Sequence, residues 1–241
     1  MRAVRRKAKK YRRDKNLVGQ DERYRIIYKG AKKILFLKHI KIDAEGFDRL
    51  PNKPVLFIPN HKSGIDPVIL IKILYENKSL ARFSLVGKIE IKKTTYLSAA
   101  FDLLDGVYLD RNDLRQQFEA FESQRQNFVD GRSLILFIEG HRYYGNDLGE
   151  FKSAALKIAY RVTAPIIPVV IYGSSGLFDS DKSNLDKKKH VYVSALDMIK
   201  PHDYITVKES FIAEQMKINM QNKYNQIMNA VKNKRPVFHE A

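Results

Sequence analysis

The chain has 241 residues, 44% hydrophobic and 11% aromatic, enough for a full core, so one domain with at most a small appendage is expected and disorder throughout is excluded. It holds no cysteine, which removes disulfides, thiolate zinc sites and cysteine nucleophiles together and fits a reducing compartment. The net charge of +17 is lopsided, because residues 1–41 carry sixteen Lys/Arg against three Asp/Glu and so hold thirteen of the seventeen net charges.

That basic arm, 1–41, is set apart from a domain at 42–241. Its first stretch, MRAVRRKAKKYRRDK, is nearly without apolar side chains and is expected to be disordered in isolation. In DERYRIIYKGAKKILFLK the spacing predicts a basic amphipathic helix, with Tyr24, Ile27, Tyr28, Ala31, Ile34 and Leu35 on one face and Arg25, Lys29, Lys32 and Lys33 opposite. Gly30 weakens its continuity. Three readings of the arm stand: a helix packed on the core, a binder of anionic membrane surfaces, and a binder of nucleic acid phosphates. No apolar run approaches the roughly 18–20 residues of a membrane span, and no apolar segment follows the basic start as a secretory signal requires. An intracellular protein without a span is expected.

Beyond the arm, short apolar runs predict strands at 55–58, 83–86, 106–109, 133–138, 166–171 and 190–194. Helical spacing between them predicts helices at 67–75, 92–104, 113–129, 152–161 and 212–231. This alternation predicts an α/β domain whose central sheet is largely parallel and flanked by helices. The polar, lysine-rich stretch 179–190 reads as an exposed loop.

Ligands of open α/β sheets sit at the carboxyl ends of the strands. His61 and Asp66 follow the first strand, Lys88 the second, Arg111 the third, and Glu139 and Arg142 the fourth. Each has an ordinary explanation. Asp66 before Pro67 can be a helix cap, and His61 a loop histidine bonded to backbone. Glu139 can pair with Arg142 at the surface, and Lys152 can be a helix-surface lysine. The alternative is chemical: with His61 in the loop before the helix, the Asp66 carboxylate can reach back to the imidazole, fix its tautomer and raise the basicity of the other nitrogen, as a general base requires.

Order and spacing favour the second view. NHKSGID, GVYLDR, FIEGHR and APIIPVVI, in that order, resemble the four blocks of the glycerolipid acyltransferases, the family of 1-acyl-sn-glycerol-3-phosphate acyltransferases and their relatives. LPNKPVLFIPNH, VGKIEI and EFKSAALKIAYRVTAPIIPVVI are similar to the connecting segments, so the likeness runs from about Glu45 to the C-terminal helix and leaves the arm outside. Ile138, His141, Ser153 and Ala154 depart from the usual pattern, while Glu139, Gly140 and Arg142 keep it.

The resemblance implies acyl transfer from a thioester to the free hydroxyl of lysophosphatidate, giving phosphatidate, with His61 as base and Asp66 orienting it. It implies that Glu139 holds the glycerol part of the acceptor, with Gly140 also among the acceptor-binding residues, and that Arg111, Arg142, Lys88 and Lys152 hold its phosphate. No bound cofactor is implied; acyl-carrier protein or coenzyme A brings the acyl group. Glycerol-3-phosphate or another lysophospholipid is the alternative acceptor. A non-catalytic basic protein binding membranes or nucleic acid is the alternative class, though it would not need His61, Asp66 and Glu139 together. A lipid acceptor favours an anionic membrane over nucleic acid as the arm's partner, and a peripheral position on the cytoplasmic face of the cell membrane.

Overall fold

Strands that are apolar on both faces take the middle of a sheet, and the segments β2 (Leu56–Pro59) and β6 (Ile166–Tyr172) are buried along nearly their whole length. They lie side by side in a computed structural model of the chain, which describes residues 2–77, 82–177 and 189–238. With β1 (Ile40–Glu45), β3 (Phe83–Lys88), β4 (Val107–Leu109), β5 (Ser133–Ile135) and β7 (Lys189–Ala195) they form a seven-stranded sheet of order β1-β7-β6-β2-β5-β3-β4. Only the β6–β7 pairing is antiparallel. The carboxyl ends of β2 to β6 therefore share one edge.

Alternation along these strands sends side chains into two cores. Phe57, Phe83, Ile135, Val169 and Ile171 pack with α1 (Arg2–Arg13), α2 (Gln20–Leu37), α3 (Asp66–Glu76) and α4 (Thr95–Leu103). Leu56, Ile58, Leu134 and Val170 pack with α5 (Leu114–Val129), α6 (Lys157–Val162), the short α7 (Pro201–Tyr204) and α8 (Glu209–Lys232). The helix predicted at 92–104 begins only at Thr95, after a 3₁₀ turn at Ile89–Lys93, and the one at 152–161 opens as a 3₁₀ turn at Ser153–Leu156. The strand predicted to reach residue 138 ends at Ile135. Of the predicted loop at 179–190, residues 179–188 lie outside the described residues, and the last two begin β7.

The arm differs most from expectation. The stretch expected to be disordered forms α1, because Val4, Ala8 and Tyr11 make a stripe at helical spacing that is buried with α4 against it. The predicted face of α2 is present, but the protein itself covers it: Tyr24, Ile27, Ala31 and Leu35 are buried, and the Tyr24 hydroxyl donates to the Phe83 carbonyl at 2.6 Å. That face is not free to enter lipid headgroups. A boundary after residue 41 would also cut β1, which bonds β7 from Ile40 onward.

Candidate active site

Where β2 ends, Asn60 locks the chain's exit: its amide donates to the Ile171 carbonyl at 3.1 Å and accepts from the Ile171 N–H at 2.7 Å. The loop then turns into α3, whose first residue is Asp66, fully buried. One oxygen of that carboxylate, Oδ2, lies 2.9 Å from His61 Nδ1 and accepts the Lys62 and Ser63 amides at 2.7 Å each. These bonds run backward into the loop, and α3 has no side-chain cap, so capping does not account for Asp66. Two backbone amides hold that oxygen, and where Nδ1 donates to it the nitrogen of His61 left free is Nε2. The imidazole packs on the Phe137 ring at 4.2 Å between centroids and keeps 18% of its side chain exposed.

Glu139 occupies a different place from the one expected. It is fully buried, its Oε2 accepts the His61 N–H and its Oε1 the Gly149 N–H, both at 2.7 Å. Burial pushes its carboxyl above the usual range, against the pull of those two amides. It braces the His61 loop against the loop at 140–149 and stands neither in a surface ion pair nor open to an acceptor. Gly140 has φ +69, and a Cβ there would collide with the Arg111 guanidinium, whose Nη2 donates to the Gly140 carbonyl at 3.2 Å. Glycine is thus what seats Arg111 on this turn.

Arg111, Arg142 and Lys88 are exposed on the site-bearing edge, with Lys88 beside Leu109 in the β3–β4 register. Lys152 is also exposed, but its ammonium is engaged by Glu150 at 2.5 Å. The structure therefore joins His61, Asp66 and Glu139 directly, joins Arg111 to Gly140, and leaves Lys152 in a surface pair. Among the described residues, no group of three or more His, Asp or Glu side chains is placed to hold a metal ion.

One participant carries no sequence signal. Lys62, between His61 and Ser63, reads as a loop spacer, yet only 1% of it is exposed. Its ammonium donates to the carbonyls of Gly145, at 3.1 Å, and of Asp147, and lies 5.2 Å from the ring centroids of Tyr143 and Tyr224. Burial lowers its pKa.

Comparison with known proteins shows the family. A model of the acyltransferase family matches residues 41–172. A probable 1-acyl-sn-glycerol-3-phosphate acyltransferase of Mycoplasma genitalium is 41% identical over 160 residues, 66% of this chain and 59% of that protein. One of Mycoplasma pneumoniae is 38% identical over 160 residues, 66% of this chain and 60% of its own length. The chain thus spans about three-fifths of these relatives. The fold is similar to the crystal structure of the 1-acyl-sn-glycerophosphate acyltransferase PlsC from Thermotoga maritima, with a TM-score of 0.69 and 18% identity over 87% of this chain and 81% of that one.

Proposed function

The chain belongs to the acyltransferase family, and from that premise we propose that it moves an acyl group from a thioester, carried by acyl-carrier protein or coenzyme A, to the free hydroxyl of lysophosphatidate. The observation that carries this reading is the His61–Asp66 pair, with the carboxylate on Nδ1 and Nε2 left as the base. Nε2 takes the hydroxyl proton as the oxygen attacks the thioester carbonyl. The tetrahedral adduct collapses, the C–S bond breaks, and the imidazolium returns the proton to the leaving thiolate. Phosphatidate and the free thiol carrier result, with no covalent enzyme intermediate. Asp66 holds the ring in place and stabilises its charge between these transfers.

Arg111, Arg142 and Lys88 receive the acceptor phosphate on the exposed rim, while Lys152, already engaged by Glu150, is left out of that set. Gly140 and Glu139 act by seating Arg111 and fixing the loop, instead of contacting glycerol. The protein works peripherally on the cytoplasmic face of an anionic membrane. Cations exposed on α1 and α2 support this, together with Phe36, 78% exposed, and Leu37 at the end of α2. No helix among the described residues is long and apolar enough to cross a membrane.

The test is phosphatidate formation from labelled acyl thioester and lysophosphatidate in mixed micelles, with acyl-carrier protein and coenzyme A thioesters in parallel. Wild-type turnover that disappears in a folded His61→Ala variant supports the reading. Acylation of glycerol-3-phosphate alone would replace the acceptor, and no transfer to any acceptor would return the chain to the binding class.

A further inference from the structure

A buried ammonium is costly unless its protons are matched, since removing it from water costs several kcal/mol even after relaxation. Lys62 is matched twice by carbonyls, Gly145 and Asp147, and the rings of Tyr143 and Tyr224 stand near the ammonium. Its own backbone N–H is one of the two amides held by Asp66. The residue thus has its main chain in the loop of the base and its charge in the loop beyond Glu139.

That second loop, 140–149, contains no regular secondary structure, and its residues 141–147 are exposed. Two backbone tethers bracket its outer part: the Tyr143 N–H donates to the His61 carbonyl at 2.8 Å, and the Leu148 N–H to Gln221 of α8 at 2.8 Å. Between these tethers the Lys62 ammonium supplies the inward hydrogen bonds, and Tyr224 brings α8 into the same cage. The limb so held also carries His141 and Arg142.

We propose that Lys62 is a positioning residue that ties the loop at 143–147 to the His61–Asp66 turn and so sets the distance between the base and the cations that receive the acceptor's phosphate. The proposal rests on the acyl-transfer reading for its kinetic consequence, though not for the tie itself. A positioning role predicts a split between substrates. In Lys62→Met, which keeps the apolar stem and removes the donors, the KM for lysophosphatidate should rise about tenfold or more, the loss expected when a charged hydrogen-bond donor to two carbonyls is removed. The KM for the acyl thioester should stay within twofold and kcat within about threefold. A general loss of stability would not separate the two substrates in this way.

Two measurements on the full chain decide the matter. The first is that pair of KM values in Lys62→Met, backed by Tyr224→Leu, which removes one wall of the cage and should move the acceptor KM in the same direction by less. The second needs no turnover: amide hydrogen exchange should quicken at 144–147 in Lys62→Met while the segment 63–70 keeps its wild-type protection. Should Lys62→Met fail to fold, Tyr224→Leu carries both measurements. Faster exchange in a chain whose wild type transfers no acyl group would sink the acyl-transfer reading and leave the tie standing. Unchanged exchange overturns the tie whatever the activity, and so does a fall in kcat with the acceptor KM unmoved, because Lys62 would then be acting on His61.

Discussion

The two edges of the sheet each hold a largely enclosed acid, and the company each acid keeps is different. At the carboxyl edge Asp66 is held by two backbone amides and one imidazole. At the amino edge Asp105, just before β4, has Arg23 at 2.8 Å and Arg132 at 3.8 Å, and accepts from the Tyr11 hydroxyl. Arg23 also donates to the Leu103 carbonyl at 2.7 Å and lies over the Tyr11 ring. Two guanidinium charges flank Asp105, so the cluster fastens α1 and α2 to the domain. Around Asp66 the hydrogen-bond partners among the described residues are two backbone amides and an imidazole, with no guanidinium, which is the arrangement the proposed base needs.

The largest effect should come from His61→Ala, which removes the base and should lower phosphatidate formation by about 10²–10⁴ with the unfolding midpoint unchanged. A folded variant of near-normal turnover would erase the distinction between the edges from the catalytic side. Asp105→Asn attacks it from the other side. The change keeps a residue that tolerates the φ of +53 at this position while leaving Arg23 without its buried partner, so stability should fall by about 3 kcal/mol in urea titration. Turnover per folded molecule should hold; a loss of turnover comparable with that of His61→Ala would mean that the amino edge is not merely an anchor.

Arg142→Lys sharpens the comparison within the site. Keeping the charge but losing the fork should raise the acceptor KM about tenfold, near the value of one charge-assisted hydrogen bond, and leave the donor KM alone. Equal changes in both constants would return Arg142 to a general surface role. The smallest effect belongs to the arm. Arg6→Gln on the exposed side of α1 should weaken binding to anionic vesicles by up to about 1 kcal/mol in co-sedimentation, more at low salt than at high, with neutral vesicles unaffected. Deleting residues 1–41 would not serve, because Tyr24, Ile27, Ala31 and Leu35 leave with the arm and the core beneath them opens.

Runs such as Leu56–Pro59 and Ile166–Tyr172 were legible because a strand buried on both faces is apolar at every position, and the His61–Asp66 contact because only a short turn separates the two residues. β1 was not, since one of its faces is polar: Asp43 pairs with His190, and Glu45 with Ser194 and Lys223, all far along the chain. α1 was missed because three buried side chains sit among eight Lys/Arg. Glu139 was recognised, but its bond to the His61 amide, 78 residues away, was not. Lys62 lay wholly out of reach, because a lysine looks solvated until carbonyls 83 and 85 residues away close over it.

The end of α2 has a kinetic meaning. Lys38 donates to the Leu177 carbonyl just beyond β6, which places exposed Phe36 and Leu37 at the same edge as His61. An enzyme that rests on a bilayer through that edge meets its acceptor by lateral diffusion, so turnover follows the surface mole fraction of lysophosphatidate and not its bulk concentration. Diluting the acceptor with inert lipid at constant total amount should slow such an enzyme, and replacing Phe36 with serine should make it less sensitive to that dilution.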